Sequence, residues 1–220
     1  MDCTNCKDKV CIKSQDSCSK ESFDKEKAIN KYMAFSTSKI VKSAALLVDN
    51  GRAGTLSRID EIIEFAKSMR YNSLGLAYCY GMEKFARAVQ ILFAEKGIQL
   101  STVSCSIGGI KQSEINHSSC IHKVSCNPIG QALQLNAENV DFTLIMGICL
   151  GHDILLQQNL FMDFTTLIVK DRVFKNNPIN TAAVMIIITT MAALIATCPF
   201  LFFILFYIIF ILKPLPTQPP

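Results

Sequence analysis

The chain lacks an apolar run after Met1, lacks a clustered basic face, and lacks any charged residue between Thr181 and Leu212. The first absence argues against a secretory signal and for a reducing compartment, where ten cysteines would not serve as paired staples. Extracellular disulfides are the alternative use of so many thiols. The second absence argues against nucleic-acid binding, because a net charge of +4 is modest and the basic residues are scattered among acidic ones. The third sets one stretch apart from an otherwise globular pattern of alternating polar and apolar residues. A length of 220 residues suits one domain of ordinary size with an appendage.

Residues 1–22 are poor in core-forming side chains. They carry Cys3, Cys6, Cys11 and Cys18 among lysines, aspartates and serines. Such a segment cannot fold by burying apolar surface, and needs a staple or stays disordered. The spacing Cys3-x2-Cys6-x4-Cys11-x6-Cys18 points to a metal. A tight turn across two residues brings both sulfurs of a C-x2-C pair to one side, and four thiolates complete a tetrahedral Zn site or the corners of an iron–sulfur cluster. Binding would supply the missing folding energy, about 10–16 kcal/mol for a structural Zn site. Lys7, Lys9 and Lys13 would offset part of the thiolate charge. There is no second C-x2-C pair, as zinc knuckles usually have, so zinc and iron–sulfur both stay open, beside a reactive cysteine tail without metal.

Residues 23–180 read as an α/β domain. Ile29, Met33, Ile40, Ala44 and Leu47 recur near helical spacing and predict one long helix from Asp24 to Val48, stopped by Asp49-Asn50-Gly51. Ser57 and Asp60 form an S-x-x-D cap for a second helix. Ser73 to Cys79 then reads as a buried strand. Met82, Phe85, Ala86, Val89 and Phe93 follow as an amphipathic helix ending at Gly97, and Leu100 to Cys105 as a second strand. That β-α-β unit favours a right-handed crossover and parallel pairing. Pro128 opens another helix, Phe142 to Cys149 is a third strand, and Thr165 to Lys170 a fourth. The alternation predicts an open, mostly parallel sheet with flanking helices, a three-layer architecture.

Cys79, Cys105 and Cys149 each stand at the carboxyl end of a predicted strand, the edge where ligands bind in open parallel sheets. Cys126 precedes the Pro128 helix, a position near a helix dipole that lowers a thiol pKa. With His152 as base, proton carrier or ligand, Cys126 and Cys149 are the catalytic candidates. Cys79, Cys105, Cys149 and His152 are the candidate cofactor-binding set. The alternative is that these thiols simply pack as small apolar residues. Lys170-Asp171-Arg172 either brings an anion-binding group to the same edge or is a solvated loop. His117, Cys120 and His122 read as surface residues and Cys198 as filler in the hydrophobic tail.

The N-terminal cysteine run, Cys126-Asn-Pro-Ile, Gly147-Ile-Cys149-Leu-Gly151-His152-Asp153, and Val169-Lys-Asp-Arg172 with Asn177-Pro178 resemble the DUF1847 family, uncharacterised prokaryotic proteins described as metal-binding. The resemblance implies a metal-associated α/β domain with interest in Cys79, Cys105, Cys126, Cys149 and His152, and no substrate. Two departures stand out. Asn176 occupies a place where the family tends to have histidine, and after Asn180 the family would continue as a soluble helix where this chain turns hydrophobic.

Residues 181–213 predict a transmembrane helix, followed by a Pro-rich tail at 214–220. Eighteen Val, Ile, Leu or Phe residues lie between Val184 and Leu212, each favouring insertion by roughly 0.3–0.6 kcal/mol near a bilayer centre. A helix from Thr181 to Leu212 would be about 48 Å long against roughly 30 Å of hydrocarbon, so one tilted or kinked span is expected. Lys170, Arg172 and Lys175 precede it and only Lys213 follows, which places the cysteine domain on the cytoplasmic side. A tail replaced through a shifted reading frame is the alternative, and would leave a cytoplasmic protein. The reading is a membrane-anchored Zn or iron–sulfur protein with a redox or sensing role. The alternative is an enzyme using strand-end thiolate or metal chemistry on a small molecule.

Overall fold

The structure, a computed structural model, describes residues 2–15 and 24–179. Cys18, Cys198 and the hydrophobic segment 181–213 lie outside them. Among the described residues no helix is long and apolar enough to cross a membrane.

A short turn of helix, α1 (Val10–Lys13), ends the N-terminal segment. Beyond it stand α2 (Lys25–Met33) and α3 (Phe35–Val48), where the sequence predicts a single helix. The break is at Ala34, whose backbone is extended (φ −56°, ψ 141°). α3 is tied to the next helix, α4 (Arg58–Met69), by Lys39 Nζ donating to the Met69 carbonyl at 2.6 Å and by a Ser68–Ser43 hydroxyl bond of 2.9 Å. α2 buries no residue of its own. The Ser57 cap forms as predicted, its hydroxyl accepting from the Asp60 N–H.

β1 (Ser73–Tyr78), α5 (Glu83–Glu95) and β2 (Gln99–Ser104) make the β-α-β unit. α5 buries Ala86, Val89 and Phe93, but Phe85 is exposed, at the rim of a groove between α4 and α5 rather than in the core. α6 (Gln112–Ile115), α7 (Pro128–Ala137), β3 (Phe142–Met146), α8 (His152–Asn159) and β4 (Asp163–Ile168) complete the order. β3 and β4 each end two or three residues earlier than predicted, and Cys149 and Lys170 therefore sit in loops.

All four strands are parallel, in the order β2-β1-β3-β4. The chain moves outward from β1 to β2 and returns across β1 to β3. Crossovers between parallel strands are right-handed as a rule, so connections running in opposite directions place α5 and α7 on opposite faces, and α8 packs beside α7. The core lies on both sides of β1 and β3, with Leu74, Leu76, Phe93, Leu135, Leu144, Ile145 and Leu156 fully buried, each contributing about 1.5–3 kcal/mol. Gly75 lets α7 approach β1: a Cβ there would lie 2.8 Å from a Leu135 methyl and 3.1 Å from Val140.

Register decides what the strands deliver. Tyr78 lies opposite both Ser104 and Met146, and Met146 opposite Ile168. The four strands finish level, so the residues just beyond them leave the sheet at one edge. Because the connections from β1 and β3 depart in opposite directions, that edge carries a crevice at the switch between them.

A candidate metal centre at the carboxyl edge

Cys79 and Cys105 are the first residues past β1 and β2. Their N–H groups still bond across the sheet, to Met146 O at 3.0 Å and Tyr78 O at 2.9 Å, so both thiols are fixed by the ladder and both are buried. Cys149 arrives through Gly147, whose φ of +62° suits glycine, and whose N–H donates to Ile168 O at 2.7 Å. Gly151 (φ +84°) then turns the chain into α8, with His152 as its first residue.

Cys126 comes from farther away. Asn127 donates its backbone N–H to Cys105 O at 2.7 Å and its side-chain amide to Ile107 O at 3.1 Å. Its Oδ1 accepts from Gly130 N–H at 2.8 Å, capping α7. The Asn127-Pro128-Ile129-Gly130 run therefore both starts the helix and sets Cys126 against Cys105. The result is one small pocket with about 180 Å³ of empty volume, too narrow for a free water molecule, lined by all four thiols with Pro128, Gln131, Ile148 and His152.

Within it the donor atoms of Cys126, Cys149 and His152 lie within 4.8 Å of one another. Ligands about 2.3 Å from a tetrahedral ion are themselves about 3.8 Å apart, so a small contraction brings these three onto one metal. Two buried polar atoms beside them have no partner: His152 Nδ1 and Gln131 Oε1. Buried polar atoms are nearly always paired, and two orphans among thiols fit a site built for a cation. This group can hold a metal ion.

Electrostatics departs from the sequence reading at Cys126. A helix N-terminus should lower its pKa, yet the thiol is pushed up to about 12. Burial is the largest cause, followed by a hydrogen bond with Cys105 and the proximity of Cys105, Cys149 and Cys79. Desolvation and like charge outweigh a half-charge at a helix end. An incoming cation must therefore displace the Cys126 proton. Affinity for a divalent ion is expected to rise about tenfold per pH unit per proton released. Competition against a chromophoric chelator between pH 6.5 and 8.5 measures that slope, and a flat profile would contradict it.

Cations meet the outer thiols. Lys170 Nζ donates to Cys79 Sγ at 3.4 Å and Arg172 Nη2 to Cys149 Sγ at 3.0 Å, while Tyr80 N–H donates to Cys105 Sγ at 3.3 Å. Among the described residues no carboxylate forms an ion pair with Lys170 or Arg172. Lys170 and Arg172 thus both reach thiol sulfurs at this edge. Asp171 shapes the loop by accepting from the N–H groups of Val173 and Phe174, both at 2.9 Å. Asn176 closes it, its Oδ1 accepting from Asp171 N–H at 3.1 Å.

The N-terminal thiols are not members of this group. Cys6 N–H donates to Cys3 O and Lys9 N–H to Cys6 Sγ, both at 3.4 Å, and Lys9 adopts φ +47° before α1. Among the described residues, Cys3, Cys6 and Cys11 are not gathered into a three-donor group. His117, Cys120 and His122 are exposed; His122 Nδ1 pairs with Ser113 Oγ at 3.1 Å. Gln131 is the residue that sequence reasoning missed. Its signal was a polar side chain in phase with Pro128, Ala132 and Leu135 on the buried face of α7.

A family model described as a protein of unknown function, DUF1847, matches residues 15–167. An uncharacterized protein of Methanocaldococcus jannaschii is 36% identical over 182 residues, which span 80% of this chain and 91% of the relative. No solved structure matches the chain at a significant level. The matched span holds Cys79, Cys105, Cys126, Cys149 and His152, and the chain belongs to the DUF1847 family.

Proposed function

We propose that this protein is a membrane-anchored metal-binding protein whose centre, at the carboxyl edge of the sheet, serves a redox or sensing role. The observation that carries the reading is the convergence of Cys126, from the loop before α7, with Cys149 and His152, from the turn between β3 and α8, into one pocket, with His152 Nδ1 left unpartnered. Two thiolates and an imidazole suit a thiophilic divalent ion, zinc foremost. An iron–sulfur cluster is the second reading, favoured by four thiols lining the pocket and by N–H donors already placed on three of their sulfurs. Cys3, Cys6, Cys11 and Cys18 form a second, N-terminal metal knuckle in this proposal.

Sensing follows from what the ion would tie together: the turn after β3, the starts of α7 and α8, and through Arg172 the loop after β4. A redox role follows from the Cys105–Cys126 contact. A two-electron oxidant such as a peroxide, taking both electrons as it joins those sulfurs, would release the Cys105 proton and remove the Cys126 thiolate from the ion. The full chain, purified anaerobically in detergent, tests the assignment by elemental analysis with a visible spectrum. About two zinc ions per chain and no visible band support the single-ion reading; iron with sulfide-to-iron absorbance supports the cluster; neither metal ends the proposal.

Anchoring rests on the uncharged stretch from Thr181 to Leu212. The full chain is expected to sediment with membranes and resist carbonate extraction, with the α/β domain cytoplasmic, whereas a chain ending at Asn180 stays in the supernatant. Full-length protein in the supernatant would refute the anchor.

A further inference from the structure

We infer that Gln131 completes the strand-end centre, its side-chain oxygen serving as the fourth donor to the ion held by Cys126, Cys149 and His152. The inference rests on the metal-binding reading above and adds a ligand that neither cysteine spacing nor histidine content suggests.

Gln131 lies on α7 and is fully buried. Its Nε2 donates to Val103 O at 2.7 Å and to Tyr78 O at 3.2 Å. Only the NH2 end of the amide can donate to carbonyls, so this pair of bonds fixes which end is which. The remaining atom, Oε1, has no partner although its residue lines the cysteine pocket. A buried amide oxygen held rigidly by two bonds from its own nitrogen, and left open, is a preorganised acceptor lacking its cation.

One further fact favours Gln131 over another thiol: Cys79 and Cys105 lie outside the mutually close group of donors. Two sulfurs, one imidazole nitrogen and one amide oxygen then make a closed four-donor shell, in which the two orphaned atoms of the pocket both find a partner.

The test uses the full chain carrying Cys3→Ser and Cys6→Ser, which removes the N-terminal thiol pair, loaded anaerobically with Co2+ or Zn2+. X-ray absorption of the Zn2+ form is expected to show two sulfur and two nitrogen or oxygen neighbours; three or four sulfurs would overturn the inference. Gln131→Leu is expected to lower Co2+ affinity at least tenfold and to change the d–d bands, while the thiolate charge-transfer band persists. Unchanged affinity and d–d bands in Gln131→Leu would also overturn it, and because the absorption measurement uses native Gln131, a folding defect in the variant does not rescue the idea. If the parent chain takes up no Co2+ at all, the metal-binding reading itself fails and this inference with it.

Discussion

Replacing Cys149 with serine is expected to lower metal affinity at the strand-end centre by about 100-fold or more, above the 10–100-fold typical of outer-shell changes, while the far-UV spectrum stays unchanged. The asymmetry comes from where the residue sits. Cys149 lies three residues past β3, half-buried, in the turn before α8, and its sulfur touches Arg172 rather than core side chains. Removing the sulfur therefore costs the fold little. For the ion it is a first-hand loss, because a serine hydroxyl stays protonated where a thiolate would bind. Dialysis against a chelator followed by elemental analysis should find one equivalent fewer than in the wild type. Full retention of metal by Cys149→Ser would remove this residue from the ligand set and undermine the centre as drawn.

The second large effect is expected at Gly130, where two opposing terms differ in size. Alanine normally stabilises a helix by about 0.8–1 kcal/mol relative to glycine. Here the added Cβ would overlap Asn127 Nδ2 and lie 2.7 Å from its Cγ, so the asparagine side chain has to leave. With it go the α7 cap to Gly130 N–H and the bond to Ile107 O. A lost cap alone costs about 0.5–2 kcal/mol, and the side-chain bond about 1 more. Gly130→Ala should thus destabilise the domain by about 1–2 kcal/mol, read by urea denaturation. It should also weaken metal binding, since Cys126 is placed by its neighbour Asn127. Asn127→Ala makes the argument sharper: once the side chain is gone, adding Gly130→Ala should cost nothing further and recover part of the helix term. Additive losses in that double-mutant cycle would refute the capping account.

The N-terminal thiols and the strand-end thiols were legible in different ways. Cys3, Cys6, Cys11 and Cys18 announce themselves by spacing, because neighbours in sequence are neighbours in space across a tight turn. Cys79, Cys105 and Cys149 are far apart in the chain, yet each ends an apolar run, and a parallel sheet brings such ends to one edge. Cys126 and Gln131 carried weaker signals, a place just before a helix start and a polar side chain on a buried helix face. Their positions follow from α7 crossing back over β1, a packing event between elements about 50 residues apart in sequence.

By itself, the sequence determined the alternation of strands and helices, the Ser57 and Pro128 helix starts, and the presence of thiols at strand ends. Each of these is local, set by backbone sterics and by periodic burial over a few residues. Tertiary structure alone decided the strand order β2-β1-β3-β4, the break at Ala34, the exposure of Phe85 and the level finish of the four strands. It also reversed the sign expected at Cys126, whose thiol is raised rather than lowered. The physical reason is common to all of them: burial and the field of neighbouring charges depend on which segments pack together, and that is fixed by the whole chain at once, not by any window along it.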